Sequence, residues 1–316
     1  MRIGLIDVDN TGNFPNLALM KISAAHKRAG DSVEWYMPFN DRYDKVYVSK
    51  VFSFSPDYDE VINADQVQYG GTGYQIKLIN GKEVFSADAW GKKHFSQELP
   101  EDWDRIYPDY SLYPRLTYDT AYGFLTRGCP RGCSFCHVAA KEGTRVFQVG
   151  ELRDFWGGQR NIVLCDPNIL AFAKWDKLMI DLIKSKSWIN FNQGLDARLM
   201  TEDKALLLSK VKLKEVHFAW DRLADRDKVL RGLELYASHA TRKPHGAFGT
   251  VYVLVNFDTK FDDDLERIYT LRNMGYHAYV MVYDKEHADS IYKELARWCN
   301  NRYIFGAVDR FWDYVC

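Results

Sequence analysis

The chain has 316 residues, 47% of them hydrophobic and 27% charged, with a formal net charge of −1. That length suits one large domain or two ordinary ones, and the apolar share suffices for a packed core. The balanced charge excludes a global field favouring nucleic acid or an anionic membrane, and no window of about 20 apolar residues offers a membrane span. The opening MRIGLIDVDNTG carries one Arg, a short apolar run and then acids. It lacks the long apolar core of a signal peptide, so we expect a cytoplasmic protein beginning at Met1.

In chain order, RIGLID (Arg2–Asp7) predicts a strand, and NLALMKISAAHKRAG (Asn16–Gly30) a helix ended by Gly30. SVEWY (Ser32–Tyr36), KVYVSKVFSF (Lys45–Phe54) and DQVQYGGTGY (Asp65–Tyr74) predict further strands, the order of a small parallel α/β unit. QIKLINGKEVF reads as a hairpin about Asn80-Gly81, and the Pro- and Tyr-rich LPEDWDRIYPDYSLYPRL as a linker. The domains expected are therefore 1–112 and 113–316. Beyond the linker, strands are predicted at Ala121–Thr126, Asn161–Cys165, Trp188–Gln193, Glu215–Trp220, Thr250–Phe257 and His277–Asp284. Helical patterns fit between them, as in WDKLMIDLIKSK and RDKVLRGLELYASHA. Such β/α units predict an open or partial barrel of parallel strands, with chemistry at the C-terminal strand ends.

Three of the six cysteines, Cys129, Cys133 and Cys136, follow the first of these strands with C-x3-C-x2-C spacing. In a reducing compartment, clustered thiols are metal ligands rather than disulfides. Three thiolates from one loop can hold three irons of a [4Fe–4S] cube and leave the fourth iron open. Gly128, Pro130 and Gly132 let the backbone fold around such a group. Two other readings stay open. Cys133–His137 is also C-x-x-C-H, a haem-attachment pattern that would leave Cys129 without a role. His137 could join the thiols around zinc in a non-catalytic interaction protein, although its adjacency to Cys136 strains a tetrahedron.

The loop, with Phe135 before its last Cys, resembles the signature of the radical S-adenosylmethionine (SAM) superfamily over roughly Tyr122 to Asp284. The resemblance implies an α/β fold in which a Rossmann-like N-terminal domain precedes a partial (β/α)6 barrel. It implies a site-differentiated [4Fe–4S] cluster whose open iron chelates SAM. One electron then cleaves the sulfonium to methionine and a 5′-deoxyadenosyl radical, which abstracts hydrogen from an unknown substrate. A flavodoxin or ferredoxin would be the electron donor.

Under the same resemblance, Asp166 and Asn168 after the second barrel strand stand where relatives bind the SAM ammonium, Asp166 being the first choice. Asp166 is equally suited to a helix cap or turn. Gln193, Asp196 and Arg198 after the third strand, Asp221 and Arg222 after the fourth, and Asn256 and Asp284 after the fifth and sixth would line the mouth. Arg198 would pair with a carboxylate of SAM or substrate. Cys165 is a candidate hydrogen-atom donor or a small buried residue. Cys299 and Cys316 form no evident second cluster.

The first domain resembles the cobalamin-binding module that precedes many radical SAM barrels. Where one type of that module carries D-x-H-x-x-G, this chain has Asp7-Val8-Asp9-Asn10-Thr11-Gly12, with Asp9 at the His position. A carboxylate is a poor substitute for imidazole as the cobalt ligand. Cobalamin is therefore not expected, and rearrangement, epimerisation or oxidation is favoured over cobalamin-dependent methylation. The alternative is that Gly12, Gly70 and Gly71 still open a corrinoid surface. Methylthiotransferases share the layout, but residues 1–128 hold none of the cysteines their second cluster needs.

Overall fold

The computed structural model describes residues 1–9, 13–80, 82–244 and 246–315, so Gly12, Gly81 and Cys316 lie outside the described residues. The chain is mixed α/β with several mostly parallel sheets. It divides into two compact units, Met1–Gly123 with Gly150–Gln159, and Phe124–Val149 with Arg160–Cys316. The first unit thus runs past residue 112.

In the first unit, β1 (Arg2–Asp7), α1 (Leu17–Arg28), β2 (Ser32–Trp35), β3 (Tyr43–Ser49) and β4 (Ala64–Gly70) follow one another. A hairpin of β5 (Ile76–Ile79) and β6 (Lys82–Phe85) precedes β7 (Phe95–Ser96). The main sheet is parallel with order β2-β1-β3-β4-β7. The unbroken apolar run of β1 follows from burial on both faces. Ile3 and Leu5 pack with Leu19 and Ile22 of α1, while Ile6 packs with Val46, Val48 and Tyr43. Each such fully buried aliphatic side chain contributes roughly 1.5–3 kcal/mol. Asn16 caps α1, its Oδ1 accepting from the Leu19 amide at 3.2 Å while its Nδ2 donates to Ser49 Oγ at 2.9 Å. The expected linker holds two short helices, α2 (Glu101–Asp104) and α3 (Pro114–Thr117), before β8 (Thr120–Gly123).

In the second unit, β9 (Thr126–Arg127) leads into the cysteine loop and α4 (Val138–Glu142), and pairs antiparallel with β10 (Phe147–Gln148). The strand expected over Ala121–Thr126 is therefore broken. Its cause is local: the amides of Leu125 and Thr126 turn to the Asp166 carboxylate. Then come β11 (Asn161–Leu164), α5 (Trp175–Ser185), β12 (Trp188–Phe191), α6 (Glu202–Leu208), β13 (Val216–Ala219), α7 (Arg226–His239), β14 (Gly246–Val255), α8 (Phe261–Asn273) and β15 (Tyr276–Val282). Strands β11 and β12 pair in parallel, as do β13, β14 and β15. Single bridges Ile189↔Leu213 and Leu195↔Phe218 join the two sets. The chain ends in α9 (Ser290–Asn300), α10 (Arg302–Ala307) and α11 (Phe311–Val315), which bury Trp298, Phe305 and Phe311. Among the described residues no helix is long and apolar enough to cross a membrane.

Candidate functional site

The cysteine loop is drawn tight by its own backbone. Gly128 sits at φ +85°, and a Cβ there would lie 2.2 Å from the Arg145 carbonyl oxygen, so only glycine fits. The Cys129 amide donates to Gly143 O at 3.2 Å and the Cys136 amide to Cys133 O at 3.0 Å, so both amides are committed within the loop. Glu142 braces the entry, accepting from Gly128 N at 3.0 Å and Arg127 Nη1 at 2.9 Å. The three thiols are half-buried, and no disulfide joins the described cysteines. Burial raises the Cys133 thiol above its usual value, while the charges of Arg198 and Arg222 pull it back.

A second layer rises from the strand ends. Asp196 caps the turn after β12 and is the hub. Its Oδ1 accepts from Arg198 Nε at 2.7 Å, and its Oδ2 from Arg131 Nε at 2.8 Å and Asn168 Nδ2 at 3.2 Å. Burial alone would raise Asp196, but the bonds and charge of Arg198, and then Arg131, hold it below the ordinary carboxylate value. Arg198 also reaches Asp225 through Nη1 at 2.7 Å and Asp196 through Nη2 at 3.3 Å. Every nitrogen of that guanidinium is engaged.

Asn168 connects the layers. It is 4% exposed, and its Nδ2 lies 3.6 Å from Cys129 Sγ as well as near Asp196. Both neighbours are acceptors, so the amide must turn its nitrogen to them and its oxygen away. That Oδ1 is buried and has no hydrogen-bond partner among the described residues.

The structure therefore brings Cys129, Asn168, Asp196 and Arg198 together, with Asp221 and Arg222 near enough for their charges to act on Cys133. Asp166, 4% exposed, accepts from the Leu125 and Thr126 amides and from Thr126 Oγ1 at 2.6 Å, which gives it a positioning role at the head of the loop. Burial raises it to about 6 against those bonds. Cys165 is buried at the end of β11, and burial pushes its thiol up to about 12. Gln193 is exposed. Asn256 donates through Nδ2 to Tyr283 O at 3.0 Å, and Asp284 pairs with His287 at 2.8 Å. Asp221, after β13, is raised to about 6 by burial, eased by Arg198 and Arg267. An edge-to-face series, Phe135 to Phe257 at 5.4 Å and Phe257 to Tyr283 at 4.8 Å, flanks the loop.

Two features escaped sequence reasoning. Arg131 sits inside the cysteine motif itself. The Asp264–Arg267 pair, fully buried on α8, donates from Arg267 Nη1 to Trp220 O and from Nη2 to Leu254 O, both at 2.7 Å, and so clamps the ends of β13 and β14. Its signal was two opposite charges at i,i+3 in DDDLER.

Among the described residues, no group of three or more His, Cys, Asp or Glu side chains converges as a site for one metal ion. A cube spreads its ligands over separate corners, whereas a single ion draws every donor to one point. The donor set of three half-buried thiols on one loop fits a cluster of that kind. In the first unit, a corrinoid fits poorly. Asp9 already accepts from the amides of Val51 and Phe52 and from Ser55 Oγ. Gly71, at φ +100°, has Lys50 O only 2.2 Å from where a Cβ would stand, so that surface is filled by backbone.

The chain matches no family model and no curated protein.

Proposed function

We propose that the chain is a radical SAM enzyme, in which a Rossmann-like module precedes a partial (β/α)6 barrel whose first strand is β8. The observation that carries this reading is Asn168: its nitrogen faces Cys129 Sγ while its buried oxygen has no donor among the described residues. An unmet buried acceptor costs about 1–3 kcal/mol. The α-ammonium of SAM beside the loop would supply that donor. Cys129, Cys133 and Cys136 would hold the [4Fe–4S] cluster, which when reduced supplies the electron that cleaves the sulfonium.

The chain's own residues orient and enclose. Asp196 fixes Asn168 and the loop through Arg131, and Asp166 holds the loop's first strand. Asp9, engaged by the loop after β3, is unsuited to cobalt, which supports hydrogen abstraction leading to rearrangement, epimerisation or oxidation without cobalamin. A cytoplasmic setting and a flavodoxin or ferredoxin donor belong to the same proposal.

Anaerobic reconstitution with iron and sulfide tests it. The expected result is a brown protein that, once reduced, converts SAM to methionine and 5′-deoxyadenosine, with the C129A/C133A/C136A variant losing iron and sulfide. A colourless, zinc-loaded protein that leaves SAM intact would overturn it in favour of a zinc-binding interaction protein.

A further inference from the structure

Arg198 was the expected anion-binding residue, yet its guanidinium is closed off by Asp196 and Asp225. Arg131 is in the opposite state. Only its Nε is bonded, to Asp196 Oδ2 at 2.8 Å, and neither terminal nitrogen has a hydrogen-bond partner among the described residues. Asp196 does not need this second guanidinium, because Arg198 and Asn168 already satisfy both of its oxygens. The bond restrains the guanidinium: held through Nε to a carboxylate 6% exposed, it keeps its two terminal nitrogens as a fork suited to a planar oxyanion. The Arg131 side chain is 31% exposed and stands between Cys129 and Cys133 in sequence. Arg222, exposed after β13, is near enough for its charge to act on Cys133, and its guanidinium likewise has no hydrogen-bond partner among the described residues. The carboxylate of Asp221 acts on the same thiol.

We propose that Arg131, held through its Nε by Asp196 and assisted by Arg222, binds an oxyanion, a carboxylate or phosphate, of a molecule seated at the cysteine loop. That this molecule takes part in a reaction rests on the reading above; the fork itself does not. Two sources share the chemistry: the methionine carboxylate of SAM, or the acidic group of a separate substrate.

Phenylglyoxal modification of the full-length protein, mapped by peptide mass spectrometry, tests the fork residue by residue. It is run iron-free and iron-loaded, with SAM, decarboxylated SAM or inorganic phosphate as the protecting probe, and with Arg153, 81% exposed, as the internal control. The expected result is that Arg131 modification slows about threefold or more while Arg153 does not change. Protection by SAM but not by its decarboxylated form identifies the SAM carboxylate. Protection by phosphate, with both sulfonium compounds ineffective, identifies a separate acid, and in iron-free protein it holds even if no cluster forms. Asp196→Asn should reduce protection at Arg131 alone, and Arg131→Lys, which cannot form the fork, should lower affinity for the protecting probe by equilibrium dialysis. Equal rates at Arg131 with and without every probe would overturn the proposal.

Discussion

Asp166→Asn separates two physical roles of one buried carboxylate. Burial lifts Asp166 from its ordinary 3.8 to about 6, against the bonds from Thr126 and Leu125. In the unfolded chain the acid loses its proton near 3.8, while in the folded chain it keeps it to about 6. Between those values the folded state binds more protons, so stability falls as pH rises. The rise from 3.8 to about 6 is worth about 3 kcal/mol, at about 1.4 kcal/mol per pH unit. That loss is complete above the folded value and absent below the unfolded one. The Asn variant cannot ionise. Whatever constant offset it carries from altered bonding to Leu125 and Thr126, its stability relative to wild type should climb by about 2.4 kcal/mol between pH 4 and 7, the rest of the change falling below pH 4. Urea unfolding followed by tryptophan fluorescence at several pH values gives the difference curve, in which the other titrating groups cancel. A flat curve would mean that burial and bonding balance. A falling one would mean that the amides of Leu125 and Thr126 hold the carboxylate ionised, and either refutes the reasoning.

Asn168→Ala should weaken SAM binding about tenfold, the loss of one hydrogen bond to a charged group, while Asp166→Asn leaves it nearly unchanged; equilibrium dialysis compares them. Gly71→Ala should cost at least about 2 kcal/mol in urea unfolding, from positive φ and contact with Lys50 O. Gly70→Ala, whose nearest obstacle is Ser96 O at 3.3 Å, should cost much less, and equal effects would discount the backbone crossing. Arg267→Met strands the buried Asp264 and should destabilise by about 3–5 kcal/mol, with Arg267→Lys intermediate.

What the residues revealed depended on the range of the interaction. Strand β1 and helix α1 were legible because their apolar spacing and the stop at Gly30 are local signals. The cysteine loop stood out because its three thiols fall within eight residues of the sequence. Asp166 stayed ambiguous in sequence because an Asp at a strand end looks the same whether it awaits a ligand or accepts, as it does here, from Thr126, forty residues earlier. Arg131 was passed over because its partner Asp196 lies 65 residues away, and no local pattern marks that pairing. Arg198 looked available for the same reason: nothing nearby in sequence announced Asp225 on its far side. The terminal helices were a different kind of omission, since Leu295, Trp298 and Cys299 already stand at helical spacing.

The first unit borrows Gly150–Gln159 from beyond the cysteine loop, and this orders events during synthesis. Phe155 is part of that unit's interior: its ring stands 2.4 Å from where a Cβ on Gly123 would be, and its carbonyl accepts from Tyr110 at 2.5 Å. A nascent chain halted after Gly123 therefore has an unfilled interior, and it closes only when the ribosome has passed Phe155. By then all three loop cysteines have been translated, and the segment bearing them is tethered at both ends before most of the second unit exists. Its ends are thus joined early, so the conformational entropy of closing the segment 124–149 is largely lost before the rest of the second unit folds.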